Sequence, residues 1–204
     1  ERVRLPMWTV LTQHPRALLA GTFAALATFV LFYLMTVFAL SWGTTQLGYT
    51  REQFLWMQML GVLCFAALIP LSAVYAERRG PRMAMIGATL AIAVFGFLFA
   101  PLFVGGNAAG IAVFLAIGFC ITGLTYGPIG TTLSGMFPTA VRYTGSSLAF
   151  NLAGILGASL APYIAIWLAG HYGVAAVGYY LSAAALLTLL ALLSMPHDVP
   201  QPAP

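Results

Sequence analysis

Apolar residues run along this chain in blocks of about twenty or more, and polar positions gather in short clusters between the blocks. The blocks cover Ala17–Leu40, Phe54–Tyr75, Met83–Val104, Ala108–Met136, Ser146–Ala169 and Val174–Met195. A helix needs about 20 apolar residues to cross a hydrocarbon core, so each block predicts one span. The separators are short. "SWGTTQLGYTREQ" is a polar turn with two glycines, "AERRGPR" holds four charges and "VGGN" is a tight turn. "GMFPTAVRYTG" carries one arginine, and "GHYG" is bounded by glycines. Glycine and proline at these points mark turns, and connections this short force neighbouring spans to run antiparallel. The pattern predicts an all-α membrane protein with a six-helix transmembrane bundle over residues 17–195. A cytoplasmic linker segment, 1–16, precedes it. The proline-rich tail "PHDVPQPAP", 196–204, is expected to be a disordered cytoplasmic end.

Composition narrows the class. Of 204 residues, 61% are hydrophobic and 6% charged, against roughly 25% charged in soluble domains. No water-facing surface can be built from this chain. The net charge of +4 then reads as the bias of membrane loops and not as a nucleic-acid surface. All the basic residues are arginine. If the N-terminal side is cytoplasmic, the inner segments hold Arg2, Arg4, Arg16, Arg78, Arg79, Arg82 and Arg142, and the outer ones hold only Arg51. Both termini are therefore expected inside, in a bacterial inner membrane. The opening charges and the length of the first block argue against a signal peptide. Cys64 and Cys120 lie in apolar runs and read as small hydrophobes. No HExxH, membrane Asp pair or Ser/His dyad is present, so neither enzyme chemistry nor a metal or cofactor site is expected.

Six spans with both ends inside suggest half of a transporter. A weak internal symmetry agrees: Pro70 follows Glu52 by eighteen positions, and Pro162 follows Thr144 by eighteen. Inverted repeats of three helices would make the second and fifth spans equivalent. Two stretches carry a family resemblance. "AVYAERRGPR", Ala73–Arg82, resembles the cytoplasmic signature of the major facilitator superfamily, with Ala73, Glu77 and Pro81 where that family usually has Gly, Asp and Arg. "YGPIGTTLSGMFPTAVRYTGSSLAFNLAGILGASLAP", Tyr126–Pro162, is similar to the tenth and eleventh helices of the metabolite:proton symporter family. The resemblance rests on Tyr126-Gly127-Pro128, Phe137-Pro138-Thr139, Val141-Arg142-Tyr143-Thr144-Gly145 and Ala161-Pro162. Gly135 replaces an acid usual there. The resemblance implies a 3+3 inverted repeat forming helices seven to twelve of a carrier, with a missing N-terminal six-helix half as partner.

Candidate site residues follow from polarity inside the spans. Polar groups in hydrocarbon are costly unless paired or wet. Tyr33 on the first span, Gln58 on the second, Thr122 and Tyr126 on the fourth and Asn151 on the fifth are expected to line a substrate cavity. Helix packing is the alternative reading of the stripe Ser147, Asn151, Gly154 and Ala158. Gly127 and Pro128 predict a hinge or a broken helix. Glu77, Arg78, Arg82 and Arg142 have two readings, a cytoplasmic gate or plain topological anchors. No ionisable residue lies mid-span, so this half offers an anion no charged partner at depth. The leading expectation is the C-terminal half of a secondary active transporter. It would carry a small metabolite, an organic acid or an osmolyte, by proton symport through alternating access. A self-contained six-span channel or pore-forming oligomer is the alternative.

Overall fold

The structure is a computed structural model that describes residues 6–105 and 107–194. Arg2, Arg4, His197 and the proline-rich tail lie outside the described residues. A short helix, α1 (Pro6–Gln13), comes first, within the expected linker segment. Six long helices follow: Pro15–Thr45, Arg51–Arg79, Pro81–Val104, Ala108–Gly135, Arg142–Tyr172 and Val174–Leu193. They are called the first to sixth spans here. All six are long and apolar enough to cross a membrane, as the hydropathy pattern predicts.

Most helices outrun their apolar blocks because their ends are set by caps and not by lipid. The second span starts at Arg51, where Thr50 and Gln53 form a reciprocal capping box. It stops at Gly80, whose φ of 92° only glycine adopts readily. Pro81 then opens the third span, where a missing N–H costs nothing. Asn107 caps the fourth span by accepting from the Gly110 amide at 3.0 Å.

The second span packs closely on the fourth, and the third on the sixth. Both are close backbone approaches made by glycine. A Cβ on Gly123 would lie 2.7 Å from Phe65 O, and one on Gly127 would lie 2.7 Å from Ile69 O. A Cβ on Gly178 would lie 2.9 Å from Phe99 Cβ and would strike Gly96 O. A serine hydroxyl ties each pair across the seam. Ser72 Oγ donates to Gly123 O at 3.1 Å, and Ser182 Oγ donates to Ala93 O at 2.8 Å. In lipid no hydrophobic effect drives helices together, so small residues and hydrogen bonds carry the association.

The first span is the most buried of the six. It packs on the fourth, fifth and sixth spans. Phe38 from it joins Phe95, Phe99 and Phe103 of the third span and Phe114 of the fourth in one aromatic cluster. Phe99 meets Phe114 edge-on at 4.9 Å. Two spans depart from α-geometry. The first contains a π-helical turn at Leu34–Phe38, where the Ala39 amide donates to Leu34 O five residues back. The fifth contains another at Leu156–Leu160. Pro162 explains the second: it cannot donate to Ala158 O, and its ring needs room in the preceding turn. The fourth span, expected to hinge or break at Gly127–Pro128, is one unbroken α-helix through both residues. Gly127 instead admits the second span.

Glycine contact predicts where extra volume is tolerated. Gly178→Val should destabilise the bundle by about 1–3 kcal/mol, the usual cost of overpacking. Gly87→Val on the third span should be near neutral, because a Cβ there meets nothing within 4 Å. Denaturant titration of the purified protein, followed by circular dichroism, measures both.

Candidate functional site

The π-helical turn of the first span inserts an extra residue just after Tyr33, and the Met35 and Thr36 carbonyls there are reached from outside the helix. Gln58 of the second span reaches them. Its Nε2 donates to Met35 O at 2.7 Å and to Thr36 O at 2.9 Å. Gln58 is only 7% exposed. A little over two turns earlier, the sixth span intrudes. Thr188 Oγ1 accepts from the Ala27 amide at 3.0 Å and donates to Phe23 O at 2.7 Å. Its hydroxyl bridges the donor and acceptor of one helical turn. The first span is thus held by hydrogen bonds from two other helices, on either side of its middle.

Between and beside these clamps lies an aromatic surface drawn from four spans. Phe29 and Phe32 come from the first, Phe65 from the second, Tyr126 from the fourth and Phe150 from the fifth. Phe29 meets Phe150 at 4.9 Å, Phe150 meets Tyr126 at 6.4 Å, Tyr126 meets Phe65 at 5.5 Å and Phe65 meets Phe32 at 6.0 Å. Tyr33 sits edge-on to Phe32 at 5.4 Å. All six rings are half-buried. Asn151, next to Phe150, is exposed, and its Nδ2 donates to Ser147 O at 2.8 Å. The stripe on the fifth span therefore divides. Ser147 and Asn151 are open, whereas a Cβ on Gly154 would meet the Phe29 ring at 3.6 Å.

The structure brings Tyr33 and Tyr126 to this one aromatic surface as members of its ring chain, whereas Asn151 is exposed and bonded to Ser147 within its own helix. It puts two other expected cavity residues inside the packing. Thr122 is fully buried and donates to Gly118 O at 2.8 Å within its own helix. Gln58 is engaged with the first span. Sequence reasoning missed the phenylalanines, which carry no polar signal: Phe32 and Phe150 adjoin Tyr33 and Asn151, Phe29 lies about one turn before Tyr33 and Phe65 about two turns after Gln58. It also missed the clamp by Thr188, since a threonine in an apolar helix reads the same whether it bonds within its own helix or across to another.

The expected gate residues are not gathered together. Glu77 and Arg78 are exposed at the end of the second span. Arg82 turns to the sixth span, where Nε donates to Leu192 O at 2.9 Å and Nη2 to Leu193 O at 3.2 Å. It caps the terminal carbonyls of that helix with a cation, the favourable sign for a helix C-terminus. Arg142 is half-buried and donates to Phe137 O at 3.4 Å, within its own connecting segment. The aromatic surface itself offers ring faces and edges and two phenol hydroxyls, all neutral.

No protein-family model matches the chain. Related proteins do. The chain is 46% identical over 198 residues to the inner membrane metabolite transport protein YhjE of Escherichia coli K12, covering 95% of this chain and 45% of that protein. It is 38% identical over 206 residues to a putative metabolite transport protein of Haemophilus influenzae, covering 95% and 47%. A citrate-proton symporter of Klebsiella pneumoniae is 27% identical over 189 residues, covering 91% and 42%. The chain spans about half the length of the curated relatives it matches.

The clamp at Thr188 makes a prediction that separates hydrogen bonding from packing. Thr188→Val keeps the shape and removes the hydroxyl, which leaves Ala27 N–H and Phe23 O without this partner. It should cost about 1–3 kcal/mol. Thr188→Ser should retain most of that stability. Equal losses in the two variants, measured by denaturant titration, would assign Thr188 to packing alone.

Proposed function

We propose that this chain, which belongs with the metabolite transport proteins of the major facilitator superfamily, is the C-terminal half of a secondary active transporter. Its partner would be an N-terminal six-helix half, and together the halves would move a small organic metabolite across the bacterial inner membrane by alternating access. The carrying observation is the half-buried aromatic surface with Tyr33 and Tyr126, built from the first, second, fourth and fifth spans, with Asn151 exposed next to Phe150 in the chain. A ring-lined wall with a few neutral hydrogen-bonding groups suits a small organic solute. The relatives' names and their length, about twice this chain's, favour a half-carrier over a self-contained six-span channel.

Coupling to protons is part of the proposal, and the citrate-proton symporter among the relatives supports it. In carriers the proton travels on membrane Asp, Glu or His residues. Among the described residues here, the charged side chains sit in the connections or the terminal turns of the spans. The proton-bearing group and the charged partner of an anionic substrate are therefore assigned to the other half. Asn151 and the two tyrosines would orient the substrate. Gln58 and Thr188 would position the first span that carries Tyr33. The arginine excess supports an orientation with both termini cytoplasmic. Glu77, Arg78, Arg82 and Arg142 would then lie on the cytoplasmic side, where Arg82 closes the end of the sixth span and the others are available to a gate.

Two measurements test this reading in the full-length protein. Asn151→Ala and Tyr126→Phe should each weaken substrate binding in counterflow by about 1–3 kcal/mol, the cost of an unpaired polar group. The proton-to-substrate ratio of pH-driven uptake should stay unchanged. Loss of coupling with intact counterflow would place proton transfer in this half. Cysteines introduced at positions 48 and 171 should label from the outside, and those at 79 and 142 from the inside. Labelling of position 142 from outside would reverse the orientation.

A further inference from the structure

Helix α1 has an apolar arc that the bundle uses only at one edge. At 100° per residue, Val10, Met7, Leu11 and Trp8 cover about 160° of its circumference, and Thr9, Thr12 and Gln13 cover the opposite side. Val10 is fully buried, packed with Leu18, Phe137, Val141 and Ala149. The rest of the arc is open: Met7 is 60% exposed, Trp8 66% and Leu11 42%. The helix is joined directly to the first span. The His14 amide donates to Val10 O at 3.1 Å, His14 leaves α-geometry, and Pro15 starts the transmembrane helix. The medium beside its open face is therefore set by the end of a membrane span.

We infer that α1 is a membrane-interface anchor that lies against the headgroup layer, with Met7, Trp8 and Leu11 entering the lipid and Val10 holding the helix to the bundle. Three features fit this occupant. An amphipathic helix with Trp and aliphatic residues on one face and small polar residues on the other suits the plane of the interface. Tryptophan partitions to that boundary. The flanking sequence is basic, with Arg2, Arg4 and Arg16 against Glu1 alone among the charged residues of 1–16, so the occupant is an anionic leaflet. Val10 packs on Phe137 and Val141, which flank the turn before the fifth span. Lipid contact at α1 is thereby linked to the segment that carries Arg142.

Site-directed spin labels test this in the full-length protein, reconstituted in phosphatidylethanolamine with a minority of phosphatidylglycerol. Cys64 and Cys120 are replaced by serine, and single cysteines are placed at positions 7, 8, 11, 12 and 13. Labels at 7, 8 and 11 should collide with oxygen severalfold more than with a water-soluble nickel chelate. Labels at 12 and 13 should show the reverse. Dominant nickel collisions at 7, 8 and 11 would put the face in water and overturn the inference. Low collision rates with both reagents there would mean that protein covers the face, and would overturn it equally. Replacing phosphatidylglycerol by phosphatidylcholine should lower the oxygen preference at position 8. An unchanged preference would remove the requirement for anionic lipid. None of these readouts depends on transport.

Discussion

Backbone hydrogen bonding in the first span is the constraint on which the rest of the structure depends. Lipid supplies no partners to a polar backbone, so any departure from a regular helix must be repaired by protein. The first span departs at its π-helical turn, and Gln58 supplies donors to the carbonyls there. Thr188 bridges a second turn lower in the same helix. Both contacts come from other spans, so the most buried helix of the bundle is keyed in position and rotation by two side chains. Buried amides and hydroxyls of this sort fix one arrangement among many apolar packings of similar energy.

The candidate site inherits that keying. Phe29, Phe32 and Tyr33 stand between the two clamps, and their rotation sets how the aromatic surface meets Phe65, Tyr126 and Phe150. Glycine seams hold the second span against the fourth and the third against the sixth, which leaves faces of the first, second, fourth and fifth spans available to form one wall. The neutrality of that wall has a physical basis. A charge at depth without a partner is expensive, and among the described residues the arginines stand at helix ends. Arg82 on Leu192 O and Leu193 O is the clearest instance. Under the proposed function such a half would orient a substrate and leave charge compensation to its partner.

Much of the fold was legible because lipid imposes a simple rule on sequence. Twenty apolar residues and a glycine or proline break were enough to place six spans. Helix ends were less legible: Thr50 with Gln53, and Gly80 with Pro81, extend or stop helices through local capping that hydropathy does not register. The π-helical turn at Leu34–Phe38 has no proline and no other signal in the sequence, whereas the one before Pro162 could have been anticipated from that proline. Pro70, proposed as the counterpart of Pro162, sits in an uninterrupted α-helix, so the equal spacing of the two prolines did not imply equal geometry. Tyr33, Tyr126 and Asn151 were singled out by their polarity, and the two tyrosines join the aromatic surface. Gln58 and Thr122 were found by the same criterion and lie inside the packing, because polarity alone does not tell a group that faces a cavity from one that bonds a neighbouring helix.

The most direct test of whether the aromatic surface faces substrate is protection of single cysteines from alkylation in membrane vesicles that contain the full-length protein. Tyr126→Cys and Asn151→Cys, in a background lacking Cys64 and Cys120, should react with a small maleimide, and saturating substrate should slow the reaction severalfold. Leu98→Cys, on the exposed face of the third span, should be indifferent to substrate. Substrate-independent labelling at both 126 and 151, in a protein that still transports, would contradict the account and return the aromatic surface to helix packing.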